Sequence, residues 1–219
     1  MCGRYSFAIE DELIRERFGV TVRSAIYKAR YNCAPSQDLA VISNEEPGVL
    51  SFYRWGLIPF WAKDPLIGNK LINARAETII DKPSFRQSLR NRRCLVLSDG
   101  FFEWDKSGNK NPYRIILENG DPFSMAGIWD KWKNPEGEMI HSFSIITTMA
   151  NPLIGKIHDR MPVILKKEDE SKWLAPNQEK DLMDLLRPYS SDRMKMYPVS
   201  RKVNSPKNDI PEIIEPLEM

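Results

Sequence analysis

The stretch Cys94-Leu95-Val96-Leu97-Ser98-Asp99-Gly100-Phe101-Phe102-Glu103-Trp104 decides the fold class. Its first five residues form an apolar run that stops at Asp99-Gly100, the pattern of a buried strand entering a turn. Beyond the turn, strand alternation puts Phe102 and Trp104 on one face and Glu103 on the other. Working outward, residues 38–43 and 49–55 read as strands around a turn at 44–48. Residues 113–117 and 122–128 pair across 118–121, where Asn119-Gly120 favours a hairpin. Short strands are also expected at 3–7, 142–148 and 161–165. Helices are expected at 11–18, where Leu13, Ile14 and Phe18 keep helical spacing and Gly19 is the stop, and at 168–174 and 178–186. The segment Gly56-Leu57-Ile58-Pro59-Phe60-Trp61 is a loop, and 204–219, with three prolines and no period, is loop or tail. Strands outnumber helices and lie close together. The expected fold is α+β, a curved and mostly antiparallel sheet or barrel with flanking helices. One domain is expected over residues 1–206, followed by an acidic C-terminal tail at 207–219.

Composition narrows the function classes. The 219 residues include three cysteines, Cys2, Cys33 and Cys94, and two histidines, with no C-x-x-C pair. Neither a disulfide framework nor a zinc site is expected, and no metal or other cofactor. No apolar run approaches the roughly 18 residues of a membrane span. Residues 9–17 hold Glu10, Asp11, Glu12, Arg15, Glu16 and Arg17, a pattern no signal peptide tolerates, so a cytoplasmic location is the expectation, and a monomer is expected. The net charge of +2 is unevenly spread. The last thirteen residues carry −3, from Lys207 against Asp209, Glu212, Glu215 and Glu218; +2 overall less −3 leaves +5 on the remainder. Residues 85–93 hold Arg86, Arg90, Arg92 and Arg93 without an acid, which suits either a local basic face or an ordinary solvated surface.

The chain begins Met1-Cys2-Gly3. Cysteine is small enough to permit removal of the initiator Met, which leaves a free 1,2-aminothiol. Its α-amine has a reference pKa of about 7.7–8.0, against about 10.4 for lysine, so a useful fraction is neutral near pH 7. Such a pair condenses with an aldehyde in two steps: the amine forms an imine, and the thiol closes on the imine carbon to give a five-membered thiazolidine. Both groups belong to one residue, so closure is intramolecular. Neither a lysine nor an internal cysteine offers this route. The alternative is a small, buried and incidental Cys2.

Four further segments carry a resemblance: Arg30-Tyr31-Asn32-Cys33-Ala34-Pro35, Leu71-Ile72-Asn73-Ala74-Arg75-Ala76-Glu77-Thr78, Asp99-Gly100-Phe101-Phe102-Glu103-Trp104 and Ile157-His158-Asp159-Arg160-Met161-Pro162. With Met1-Cys2-Gly3-Arg4-Tyr5 and Pro198-Val199-Ser200, they make the chain resemble the SRAP family (SOS response-associated peptidase), in the family's order and from residue 1 to about 204. Two departures stand out: Cys33 where an aliphatic residue is common, and Met161 after Arg160. The resemblance implies a sensor and shield of abasic sites in single-stranded DNA, acting in the DNA damage response, on a one-domain α+β fold with a barrel-like sheet. It places the nucleophile on Cys2 and the other active-site residues on Asn73, Glu103 and His158. It also implies removal of Met1 by the chain itself, a peptidase activity, and admits an AP-lyase-type activity.

Each of these residues has a chemical reading and a plainer one. Glu103 between aromatics suits general acid–base work on the carbinolamine, its pKa raised by desolvation; a solvent-facing Glu on a strand is the plainer case. His158 beside Arg160 suits a hydrogen bond to the sugar oxygen or a phosphate, or else lies idle on the surface. His141 has no motif around it. Asn73 suits holding the new amino end or the sugar, or else is a turn Asn. Arg4, Arg75 and Arg160 adjoin these positions and suit phosphate oxygens. Phe60 and Trp61 suit stacking on a base, or else core packing. Cys94 is expected to be inert, and Met183, Met194 and Met196 to fill gaps in the core or on helices. Two other functions fit the same opening residues: an N-terminal-nucleophile amidohydrolase, which would use the Cys2 thiol on an amide, and a non-covalent single-strand DNA-binding module.

Overall fold

The apolar run at 94–98 and the motif at 100–104 fold as two successive strands that enter different sheets, and this divergence organises the molecule. The computed structural model describes residues 2–22, 27–106 and 108–217. The chain runs β1 (Tyr5–Phe7), α1 (Asp11–Phe18), β2 (Arg30–Cys33), β3 (Asp38–Ser43), β4 (Ser51–Trp55) and β5 (Asn73–Arg75). It continues through α2 (Arg86–Asn91), β6 (Arg93–Ser98), β7 (Gly100–Trp104), β8 (Pro112–Leu117), β9 (Phe123–Lys133) and β10 (Met139–Met149). The remaining elements are β11 (Arg160–Pro162), β12 (Ile164–Leu165), α3 (Lys167–Leu174), α4 (Glu179–Asp184) and β13 (Met194–Pro198).

Strands β4, β3, β6, β9 and β10 pair in that order, and β10 pairs back with β4, so the five close into a barrel. Every pairing in the ring is antiparallel except β10 with β4. Closure leaves these strands no free edge. The second sheet, in the order β13-β8-β7-β1-β2, is antiparallel throughout. Asp99, the single residue between β6 and β7, fastens the crossover to the second sheet: it accepts from Ser6 Oγ at 2.6 Å and Ala8 N at 3.2 Å, and pairs with Arg114 at 3.3 Å. The two sheets share one core, in which the Tyr5 and Trp55 rings lie 5.3 Å apart. Truncating a fully buried tryptophan such as Trp55 or Trp129 to alanine would cost about 3–5 kcal/mol.

The α+β, barrel-like architecture agrees with the sequence reading, and α1 ends as expected at Gly19, whose φ of +66° is the left-handed conformation glycine tolerates. Other details differ. The hairpin expected across 118–121 does not form. Asn119-Gly120 makes a turn, but β8 pairs with β7 and β13 while β9 pairs with β6, β10 and β12. The ladders available in two sheets outweigh a local turn preference. Residues 161–165 are two strands rather than one: β11 adds to β10, and β12 adds to β9. Met194 and Met196 lie on strand β13.

The segment expected as an acidic tail is packed on the domain over its described residues. Asp209 pairs with Arg30 at 2.5 Å, Ile213 is fully buried, and Leu217 N donates to Pro198 O at 3.0 Å. The arginines of 85–93 are largely engaged within the protein. Arg93 is buried and donates to the carbonyls of Leu89, Arg90, Trp173 and Ala175; Arg92 pairs with Asp130 and Arg90 with Glu179. A basic face built from this segment is not what the structure presents; Arg86 is exposed.

Candidate active site around Cys2

Strand pairing brings the amino end to Glu103. Tyr5 lies opposite Phe101, and Phe102 N donates to Arg4 O at 2.9 Å, so the ladder of β1 on β7 continues toward Cys2. Both faces of β7 are covered. Phe102 packs with Val199, Val203 and Ile213, with Trp104 against that cluster, while Phe101 turns into the main core. Glu103 shares the inner side with Phe101 and is only 3% exposed, so the solvent-facing alternative is excluded.

Barrel topology supplies the other two residues. Strand β5 lies along β10 in line with β4, after the excursion of 56–72, and pairs Asn73 with Ile145 and Arg75 with Thr147. Strand β11 also pairs with Thr147, through Pro162. Asn73-Arg75 and His158-Arg160 therefore flank the same end of β10. Asn73 Nδ2 donates to Cys2 O at 2.9 Å, which ties the amino end to the barrel rim. Asn73 Oδ1 is buried and has no partner among the described residues. The His158 loop approaches the segment just after β7 through Asp159, which lies 3.8 Å from Lys106 and whose charge acts on Glu103.

The electrostatics of the group are unusual. Burial pushes the Cys2 thiol well above its ordinary range, and the nearby Glu103 charge pushes it the same way. Its Sγ contacts Arg4 O at 4.0 Å. Burial also lifts Glu103 from an ordinary 4.5 to about 7. His158 is pushed below its ordinary value, first by burial, which favours the neutral ring. Its Nδ1 lies 3.1 Å from Asp159 and accepts from Arg160 N at 3.0 Å. A nitrogen that accepts cannot also donate to Asp159, so the ring proton of neutral His158 belongs on Nε2. The Asp159 contact is then no ion pair.

The arginines differ among themselves. Arg160 is buried, holds Glu77 through two hydrogen bonds of 2.7 and 2.9 Å, and donates to Thr147 O at 2.7 Å. Arg4 Nη1 donates to Asn32 Oδ1 and Val203 O, both at 2.7 Å. Arg75 is exposed. Phe60 and Trp61 are 51% and 47% exposed on the loop after β4, which excludes full core packing for either. His141 stacks on Tyr53, with ring centroids 5.0 Å apart. Cys33 and Cys94 are buried thiols. Among the described residues no cluster of His, Cys, Asp and Glu is arranged for a metal.

Sequence reasoning missed Glu77, Asn32 and Asp209. The first two sit inside quoted motifs, and that adjacency was the available signal. Asp209 lies in a segment set aside as tail.

A strand pair delivers residue 2 to a buried carboxyl, an Asn clasps its carbonyl, and a His whose ring burial keeps toward the neutral form lies on the adjoining loop. The family model described as SOS response associated peptidase (SRAP) matches residues 1–206. "Abasic site processing protein YoqW" of Bacillus subtilis (strain 168) is 47% identical over 222 residues, covering 98% of this chain and 99% of that protein. "Abasic site processing protein HMCES" of Gallus gallus is 33% identical, covering 99% of this chain and 74% of that protein. A crystal structure of a protein from Bacteroides thetaiotaomicron superposes with a TM-score of 0.92 at 33% identity, covering 99% of this chain and all of that one. The chain belongs to the SRAP family.

Proposed function

We propose that this protein captures abasic sites in single-stranded DNA as a covalent thiazolidine on Cys2, after Met1 is removed. The observation that carries the reading is the clasp of the Cys2 carbonyl by Asn73 beside a buried Glu103. While Met1 is attached, the Cys2 nitrogen is an amide and cannot add to an aldehyde. Glu103 in its carboxylate form takes a proton from the water that adds to the Met1 carbonyl carbon and passes it to the Cys2 nitrogen as the peptide bond breaks, which gives the chain its peptidase step. The freed amine, held at its own carbonyl by Asn73, stays beside Glu103.

The abasic deoxyribose then opens, with His158 Nε2–H donating to the ring oxygen. The Cys2 amine adds to C1′, and Glu103 takes a proton from the nitrogen and returns it to the departing hydroxyl. One water is lost and an imine forms. The Cys2 sulfur adds to the imine carbon while its proton passes to the nitrogen, closing the ring. A thiol held protonated by burial suits this order, because the proton it must lose passes to the imine nitrogen as the sulfur adds. Ring closure competes with β-elimination from the imine, so capture shields the strand and lyase-type cleavage is the minor outlet. Arg75 meets backbone phosphate, and Phe60 and Trp61 offer faces for unstacked bases. Arg4 and Arg160, held by Asn32 and Glu77, support the Cys2 and His158 segments from behind that surface. The protein works as a monomer in the cytoplasm during the DNA damage response.

The test is a denaturing gel with abasic oligonucleotide. Wild type gives a heat-stable band; Cys2→Ala gives none, with only an imine that borohydride can trap. A stable band of unchanged yield from Cys2→Ala overturns the thiazolidine.

A further inference from the structure

The last described residues, 207–217, lie beyond the part of the chain that matches the family model, yet they are fastened to the strands that carry the site. Asp209 Oδ1 accepts from both Tyr31 N (2.6 Å) and Asn32 N (2.9 Å), and its Oδ2 accepts from Arg30 Nε (2.5 Å). The Asn32 side chain is fully buried and saturated. Its Nδ2 donates to the carbonyls of Ser205 and Asn208 at 3.0 and 2.8 Å, and its Oδ1 accepts from Arg4, two residues from Cys2. At the other end Trp104 Nε1 donates to Asn204 Oδ1 at 2.8 Å, and Val199, Val203 and Ile213 pack on Phe102. Trp104 and Phe102 flank Glu103.

We infer that residues 199–217 form a strap that sets the position of Cys2 against Glu103, with Asp209 and Asn32 as positioning residues at one end and Trp104 at the other. The inference rests on the covalent-capture reading above for its consequence, and on the contacts just given for its geometry. One end of the strap holds Arg4 on the Cys2 segment. The other holds the outer face of β7, so that its inner face keeps Glu103 away from water. The hydrogen bonds of Asp209 and Asn32 are part-buried, that of Trp104 is exposed, and Phe102 packs on the buried Val199, Val203 and Ile213; losing one of these contacts loosens the hold of the strap on the strands. Water then reaches Glu103, and its titration moves back toward that of an ordinary carboxyl. A contribution to folding alone would lower stability and leave that titration in place.

The experiment uses the full chain as wild type, Asp209→Ala and Trp104→Phe, the last removing a hydrogen bond while keeping most of the packing. Two quantities are read on folded protein: the Glu103 carboxyl titration by carbon NMR, and the rate of covalent capture of a single-stranded abasic oligonucleotide against pH. In both variants the Glu103 midpoint is expected to fall by about one pH unit or more. Capture at the plateau is expected to slow by roughly tenfold. A midpoint unchanged in a folded variant overturns the strap. Should Asp209→Ala fail to fold, Trp104→Phe decides alone. Absence of any adduct in wild type refutes the capture reading and leaves the NMR midpoint to decide the strap.

Discussion

Replacing Glu103 by glutamine separates the carboxyl's effect on stability from its effect on chemistry. Burial lifts this group from an ordinary 4.5 to about 7. The folded protein therefore holds the proton more tightly than the unfolded chain does. The stability that comes from the protonated carboxyl is complete below pH 4.5 and is lost as pH rises through 7. At about 1.36 kcal/mol for each unit between the two values, the ionised carboxylate costs about 3 kcal/mol at pH 8. Glutamine has nearly the same shape and never ionises. Urea unfolding of both proteins between about pH 4.5 and 8 should show the stability difference moving toward Glu103→Gln by about 3 kcal/mol as pH rises. In a domain of this size that corresponds to roughly 6–12 °C in Tm at the alkaline end. Titrating groups that do not feel Glu103 are common to both proteins and cancel, and those coupled to it, Cys2 and the amino end, move with it, so intact mass must verify the same amino end in each. Capture of abasic DNA by Glu103→Gln should slow by about 10²-fold or more at neutral pH. A stability difference flat across the range would show that Glu103 titrates like a surface carboxylate, and the acid–base argument would fall with it.

The exposed arginine and the buried one should behave differently. Arg75→Ala is expected to weaken binding to undamaged single strands and to reduce the slope of log affinity against log salt by about 0.7, as loss of one phosphate contact requires. An unchanged slope in a salt titration followed by fluorescence anisotropy removes Arg75 from the interface. Glu77→Gln is expected to leave that slope unreduced while slowing covalent capture several-fold, because Arg160, which donates its backbone N–H to His158, loses a charged partner on its guanidinium. A capture rate equal to that of wild type would show that the ion pair does not reach His158.

Much of this site is readable from sequence because its chemistry depends on residue identity. Cys2 is informative through its place in the chain, and Glu103 through its two aromatic neighbours. Strand alternation alone left Glu103 free to face solvent. The structure excludes that because Phe102 and Trp104 have their own partners in the C-terminal segment, which no local pattern announces. The hairpin expected at Asn119-Gly120 fails for a related reason: whether two neighbouring strands pair is settled by which sheets have edges to offer. Arg160 shows the limit at the level of a side chain. Its motif marks it as important, and only the fold reveals that Glu77, on the far side of β10, holds its guanidinium. Asp209 was unreadable because a proline-broken acidic segment looks like a tail until its partners on β2 are known.

The most direct measurement is the intact mass of the protein before and after incubation with a single-stranded oligonucleotide carrying one abasic site. The account predicts a chain lacking Met1, converted to a species heavier by the oligonucleotide less one water, with the new bond mapping to Cys2 on digestion. A captured species that still carries Met1, or a bond mapping to any other residue, would contradict it.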